Sequence, residues 1–319
     1  MPTARSLPWS SACLGGLLLA GCATGPLPPS TAQPRLSASA HTARCAADAG
    51  VMDGWDTPAP PHTVFANVHY VGTCGITAVL LTSAQGHILI DGGTPAAGPA
   101  IAASIQALGY RLQDIGYLLV SHEHYDHAGG LAWLQQASGA VVLARPAAVD
   151  ALRRGHNDHS DPQSGALDDF PAIYNVRAIG DGQTVRLGPL AVTAHATPGH
   201  APGGTSWSWQ SCRQQQCLQM VYADSLSPAS RPGYRFGDHP GHLAALRASI
   251  ATVAALPCDV LLTPHPLASQ LPARLRGEAA LVDAGACQRY AASARQALDA
   301  RLAAEDAAAA PLSPVPPSP

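Results

Sequence analysis

The 319-residue sequence contains no lysine: all 18 basic residues are arginine. That absence removes whole mechanisms, because Schiff-base chemistry and a Ser-x-x-Lys nucleophile both need a lysine amine. There is no Gly-x-Ser-x-Gly elbow to expose a serine nucleophile. A large excess of either charge is also lacking. The net charge is −3 and the arginines are scattered, so no basic face or stripe supports nucleic-acid binding. A small neutral or anionic substrate is the better expectation. No Cys-x-x-Cys pair occurs either, which argues against a cysteine-rich zinc site.

What is present is concentrated in residues 121–130, Ser-His-Glu-His-Tyr-Asp-His-Ala-Gly-Gly. Its core packs His122, His124, Asp126 and His127 into six residues. The apolar run at 115–120 reads as a buried strand, and Gly129-Gly130 opens an apolar-periodic stretch that reads as a helix. The ligands therefore fall on a strand-to-helix loop. A helix would turn His122 and His124 roughly 200° apart, whereas a loop lets both imidazoles converge on one cation. Asp126 and His127 then remain for a neighbouring ion. A His-Glu-x-x-His metalloprotease motif is excluded, because position 126 is Asp. Glu123 is expected to be solvated.

Two further histidines follow expected strands: His200 in Thr-Pro-Gly-His and His265 in Thr-Pro-His-Pro. His122, His124 and His200 would supply three nitrogens to one zinc; Asp126, His127 and His265 would hold a second. Three protein ligands per ion leave a position open, as in catalytic rather than structural zinc sites. His239 and His242 read as helix-start or surface residues.

Arg5, the apolar stretch 14–20 and Leu19-Ala20-Gly21-Cys22 resemble a bacterial lipoprotein signal cleaved before a lipid-modified cysteine. The stretch is too short to span a membrane, and an ordinary secretory signal is the alternative. The expected organisation is a signal over 1–21, a Pro/Ser/Thr/Ala-rich tether over 22–43 with a reach of roughly 25 Å, one catalytic domain over 44–304 and a disordered tail over 305–319.

Between these ends, strands are expected near 64–71, 76–82, 87–90, 115–120 and 141–144, with helices near 97–108, 131–137 and 147–153. Residues 155–169 read as a polar surface loop that could border a binding site. Strands near 185–187, 191–196, 205–210, 218–223 and 260–263 follow, with helices near 242–256 and 278–303. This pattern suggests two sheets face to face with helices outside. Cys13 and Cys22 aside, six cysteines suggest three disulfides in an exported domain. Cys212 and Cys217 flank a polar turn, so a cross-hairpin bridge is the simplest local solution. A Cys258–Cys287 bridge would contribute roughly 3.5 kcal/mol by chain entropy, leaving Cys45 and Cys74.

With these residues in place, the sequence resembles the metallo-β-lactamase superfamily over about 45–303, and within it the class B, subclass 3 β-lactamases. The loop motif carries the superfamily likeness. All-histidine ligation at the first site, Tyr222-Ala-Asp-Ser-Leu-Ser227 with serine at 225, and Cys258–Cys287 carry the subclass. The resemblance implies an α/β fold, a four-layer αββα sandwich of two mixed β-sheets flanked by helices. It implies two zinc ions, a metal-activated hydroxide oriented by Asp126, and hydrolysis of penicillins, cephalosporins and carbapenems. The expected partner is a small β-lactam substrate, with no nucleic acid. The chain is expected to be a periplasmic monomer, lipid-anchored through Cys22. Without lysine, Ser225 and Ser227 are the expected contacts for the substrate carboxylate, with Arg231 a candidate nearby cation. The runner-up is another hydrolase of this superfamily, a thioesterase or lactonase. A non-catalytic zinc-binding lipoprotein is the different-class alternative.

Overall fold

The computed structural model describes Cys45, Gly50 and residues 53–309. The expected signal, Cys22 and the tether lie outside the described residues. Seven strands pair in chain order: β1 (His62–Phe65), β2 (Val68–Tyr70), β3 (Val79–Ser83), β4 (Gly86–Ile90), β5 (Ile115–Leu119), β6 (Val141–Ala144) and β7 (Val176–Ala178). The first four meander antiparallel, whereas β4 to β7 are parallel. Parallel neighbours need crossovers. These contain α1 (Ala97–Ala107), the single turn α2 (Tyr125–Ala128), α3 (Leu131–Ser138) and α4 (Pro146–Arg154).

The second sheet orders its strands β12-β11-β10-β9-β8. They are β8 (Thr184–Leu187), β9 (Leu190–Ala196), β10 (Thr205–Arg213), β11 (Gln216–Tyr222) and β12 (Val260–Leu262), accompanied by α5 (Pro240–Ala255), α6 (Leu271–Leu275) and α7 (Ala286–Ala309). β11 and β12 are parallel and the other pairs antiparallel, so β9, β11 and β12 run the same way.

Strand residues alternate between two apolar layers, as a sheet covered on both faces requires. Ile88 and Ile90 face the second sheet, while Leu89 faces the α1/α3/α4 layer. Met220 and Tyr222 likewise face the first sheet, while Val221 packs with Leu246 and Ile250 of α5 and Leu298 of α7. The result is a four-layer αββα sandwich, as expected. Trp207 is buried between the sheets, and its indole N–H donates to Val120 O at 3.1 Å. Truncating so large a buried side chain costs about 3–5 kcal/mol.

Several expected boundaries move. The stretch read as one strand over 64–71 is a hairpin, reversing at Ala66, whose φ is +48°. β7 is too short to show any alternation in sequence. Residues 278–285 are not helical: the Asp283 side chain accepts from Gly285 N and pairs with Arg274 and Arg289, and the helix begins at Ala286. The tail expected from 305 is helical through Ala309. Glu305 is buried there, accepting from Phe236 N and Gly237 N at 3.0 Å each and pairing with Arg301.

The disulfides are Cys45–Cys74, Cys212–Cys217 and Cys258–Cys287. Cys212 and Cys217 are register partners across the β10–β11 hairpin. Cys258–Cys287 ties the segment entering β12 to the first turn of α7.

Candidate metal centre

Strand direction gathers the site. The segments leaving the carboxyl ends of β4, β5, β9, β11 and β12 supply Asp91, residues 121–127, His200, residues 224–227 and His265. Ligands bind at such strand ends in layered α/β folds. The two sheets meet there, where Thr205 N donates to Ser121 O at 2.7 Å. The β5 loop also packs against the β4 loop backbone to backbone: a Cβ on Gly130 would lie 2.2 Å from Gly92 O, so only glycine fits.

His122, His124 and His200 bring ligand atoms within 4.8 Å of one another, all buried. Each imidazole is held from behind. His122 Nδ1 donates to Asp224 Oδ1 at 2.8 Å, His124 Nε2 to Asp161 Oδ2 at 2.8 Å, and His200 Nδ1 to Ser227 O at 3.0 Å. The remaining nitrogens, His122 Nε2, His124 Nδ1 and His200 Nε2, are acceptors that face one another. His122 Nε2 is buried with no hydrogen-bond partner. Gln163 Nε2 lies 3.4 Å from His124 Nδ1 and 3.3 Å from His200 Nε2. Burial, then the neighbouring imidazoles, hold His122 well below the usual histidine range; burial and His124 push His200 down to about 3. Neutral imidazoles are the form that binds metal. This trio is a metal-binding group.

Asp126 and His127 sit in the single turn of α2, and both are buried. Asp126 Oδ2 lies 3.0 Å from His127 Nε2 and 3.3 Å from His265 Nε2. His265 is more open to solvent, and the mutually close ligand atoms here are those of His122, Asp126 and His127. Burial works against charge at this point, yet Asp126 and Asp91 outweigh it and raise His127 to about 10. Despite its own burial, Asp126 is held well below the carboxylate range by His127 and His265. The pocket thus favours positive charge, and a buried dication meets the same requirement as the proton.

Asp91, which the sequence alone does not single out, is buried with φ +62°. It accepts from Ser121 N at 2.6 Å, Ser121 Oγ at 2.7 Å and Tyr222 OH at 2.7 Å, and lies 3.6 Å from His127 Nδ1. Asp161, Gln163 and Asp224 were also not singled out. Their signal is weak: two lie in a polar loop, and Asp224 sits inside a strand-end motif read for its serines. Burial raises Asp224 well above the carboxylate range, and a cation on the far nitrogen of His122 would draw it back toward the carboxylate.

Glu123 is not solvated. It is 1 % exposed, both its oxygens accept from Gly203 N at 2.9 and 3.1 Å, and burial pushes it up to about 7. The reason is topological: the β5 loop is pinned beneath the β9–β10 loop. Arg231 is not a cation facing the cavity. Its guanidinium donates to Asp161 O at 3.1 Å and lies over the Tyr234 ring. Ser225 and Ser227 both line a cavity of about 320 Å³ that opens on His124, Asp126, His200 and His265. Its apolar wall includes Trp55, Leu167, Leu226 and Pro264. Ser227 has a second contact, its Oγ lying 3.1 Å from His200 Nδ1.

Residues 71–213 match the metallo-beta-lactamase superfamily. A hydroxyacylglutathione hydrolase of Anaeromyxobacter dehalogenans (strain 2CP-C) is 30% identical over 52% of this chain, and the chain spans about half, 51%, of that relative's length. Solved structures match more fully. The metallo-beta-lactamase SMB-1, bound to 2-mercaptoethanesulfonate, is 50% identical with a TM-score of 0.76, covering 79% of this chain and 99% of its own. MIM-1 from Novosphingobium pentaromativorans is 44% identical with a TM-score of 0.83, covering 85% and 100%. MEM-A1, a subclass B3 metallo-beta-lactamase from a soil metagenome library, is 47% identical with a TM-score of 0.77, covering 80% and 99%. With its histidine trio, its paired sheets and a likeness to these proteins over 79–85% of its length, this chain belongs to the metallo-β-lactamase superfamily and, within it, to subclass B3.

Proposed function

We propose that this chain is a zinc hydrolase that opens the amide bond of β-lactams, with two zinc ions per chain. The observation that carries the reading is the convergence of three buried imidazoles beside the Asp126-centred group, at one end of a 320 Å³ cavity. His122, His124 and His200 hold the first ion, and Asp126, His127 and His265 the second. Zinc bound there supplies a nucleophilic water with a pKa lowered to about 7 and a Lewis acid for the carbonyl and leaving nitrogen. Asp126 contributes the one anion among these ligands and orients the attacking water. Asp224, Asp161 and the Ser227 carbonyl fix the tautomers of the first trio, so the nitrogen lone pairs are aimed before substrate arrives. Ser225 and Ser227 receive the substrate carboxylate through hydroxyl contacts, and the apolar wall from Trp55 to Leu226 takes the ring system.

The half-length relatives favour a second reading, hydrolysis of a glutathione thioester, which the same zinc chemistry would serve. Purified protein assayed with a chromogenic cephalosporin and with a hydroxyacylglutathione separates them. The proposal expects cephalosporin turnover that a chelator abolishes and added zinc restores, with two zincs per chain by elemental analysis. Turnover of the thioester alone would overturn it.

The reading extends to location. Three disulfides suit an oxidising compartment, and no helix among the described residues is long and apolar enough to cross a membrane. Cleavage before Cys22 and its acylation would tether a monomeric enzyme to the membrane from the periplasmic side. A Cys22→Ala chain that stays membrane-bound, or a wild type with an unmodified N-terminus beyond Cys22, contradicts the anchor.

A further inference from the structure

Residues 155–169 read in sequence as a polar surface loop, yet Asp161 within it is fully buried. Placing a carboxylate in the interior is costly unless its oxygens are hydrogen-bonded. Both are. Oδ2 accepts from His124 Nε2 at 2.8 Å and Oδ1 accepts from Gln163 N at 2.7 Å. The backbone on either side is tethered as well: Asp161 O accepts from the Arg231 guanidinium at 3.1 Å and Pro162 O from Arg231 N at 2.8 Å. The same loop places Gln163 and Leu167 on the cavity wall. One buried side chain therefore joins the wall of the substrate cavity to the back of a first-trio imidazole.

We propose that Asp161 is a positioning residue that sets the affinity of the first metal through His124, and that through it the order of the 155–169 loop and metal occupancy are coupled. The inference rests on the zinc site of the proposed function. Accepting the His124 Nε2 proton fixes the tautomer that leaves Nδ1 free toward the centre and raises its basicity as a ligand. Removing such an outer partner lowers metal affinity by about 10–100-fold. Linkage makes the effect reciprocal: metal at His124 holds Asp161, and hence the loop, in place as strongly as the loop supports the metal.

The test compares wild type, Asp161→Ala and Asp161→Asn as full-length folded protein. Zinc affinity is measured by competition with a chromophoric chelator, and hydrogen exchange of amides 155–169 is followed with and without zinc. In wild type, zinc slows exchange across the loop. Asp161→Ala weakens the tightest zinc by about 10–100-fold and abolishes that protection. Asp161→Asn, which keeps an acceptor but loses the charge, gives a smaller, still measurable loss. Unchanged zinc affinity in both variants, with only the loop loosened, overturns the proposal and leaves Asp161 as a loop anchor. If the Ala variant fails to fold, the near-isosteric Asn variant decides alone, and wild-type affinity there overturns the idea. Wild-type protein that binds no zinc would contradict the proposed function instead, so the two failures are distinguishable.

Discussion

Two kinds of buried imidazole occur in the fold, and they are built differently. His69 on β2 has both ring nitrogens satisfied by side chains: Nδ1 lies 3.1 Å from Thr63 Oγ1, and Nε2 lies 3.2 Å from Tyr110 OH and 3.3 Å from Thr82 Oγ1. The histidines of the first trio have one nitrogen fixed by an acceptor behind the ring and the other aimed at a shared centre. Burial alone therefore does not mark a ligand. Convergence does: the inward nitrogens of the trio face one another, and His122 Nε2 among them is buried with no hydrogen-bond partner, a desolvation cost that a donor or a cation offsets.

The largest expected effect comes from the residue that gives the open set its negative charge. Asp126→Asn keeps the size and loses the anion. If two zinc ions are held as proposed, they then face neutral ligands only, and the second should be released while the first trio retains its ion. Turnover should fall by two or more orders of magnitude, about 2.7 kcal/mol or more in the barrier. Zinc per folded chain, read beside cephalosporin turnover, checks both halves. Full activity with two tightly held zincs would remove Asp126 from the mechanism.

The closed set predicts an effect on stability rather than turnover. Burial, followed by the nearby His87, lowers His69 to about 4. A folded-state value below the unfolded 6.5 means that the unfolded chain binds the proton first, so stability is complete above about pH 6.5 and is lost as pH falls toward 4. That window is worth about 3 kcal/mol. His69→Gln keeps a donor and an acceptor for the hydroxyls but does not titrate. Denaturant unfolding of zinc-stripped protein at neutral and acid pH should show a smaller acid loss in this variant, with cephalosporin turnover unchanged after zinc is restored. A variant that loses zinc would place His69 with the site and dissolve the distinction.

The same contrast explains what the sequence could show. The first histidine trio was legible because its chemistry is concentrated in a short run plus one strand-end motif, and the sheet-and-helix alternation was legible because buried strands and helix stripes have distinct periods. Asp91, Asp161 and Asp224 were not, because a carboxylate that orients a ligand is chosen by fold-level proximity. Asp224 meets His122 across 102 residues of chain. Glu123 was misjudged for the same reason: nothing local announces the β9–β10 loop that covers it. The hairpin at Ala66 and the start of α7 depend on a single left-handed residue and on the Asp283 side chain, both invisible to periodicity.

The smallest expected effect sharpens how the open set is held. Tyr290 lies on α7, three residues beyond Cys287, and its hydroxyl donates to Asp224 O at 2.9 Å while accepting from Leu226 N at 3.2 Å. It grips the backbone on both sides of Ser225, directly beneath the carboxylate that orients His122. Among the described residues, the hydrogen-bond partners of the His69 ring are side-chain hydroxyls. Tyr290→Phe leaves a buried C=O and N–H unpaired, at a cost of about 1–2 kcal/mol, which corresponds to roughly 2–4 °C in Tm for a chain of this size. Because the ligands themselves are untouched, kcat should change little, while KM rises as Ser225 loosens in the cavity wall. A scanning melt and steady-state kinetics on the zinc-loaded variant read both quantities. If Tm falls while KM stays at the wild-type value, α7 serves the fold only, and the aim of Asp224 and Ser225 is set from the sheet side of the loop.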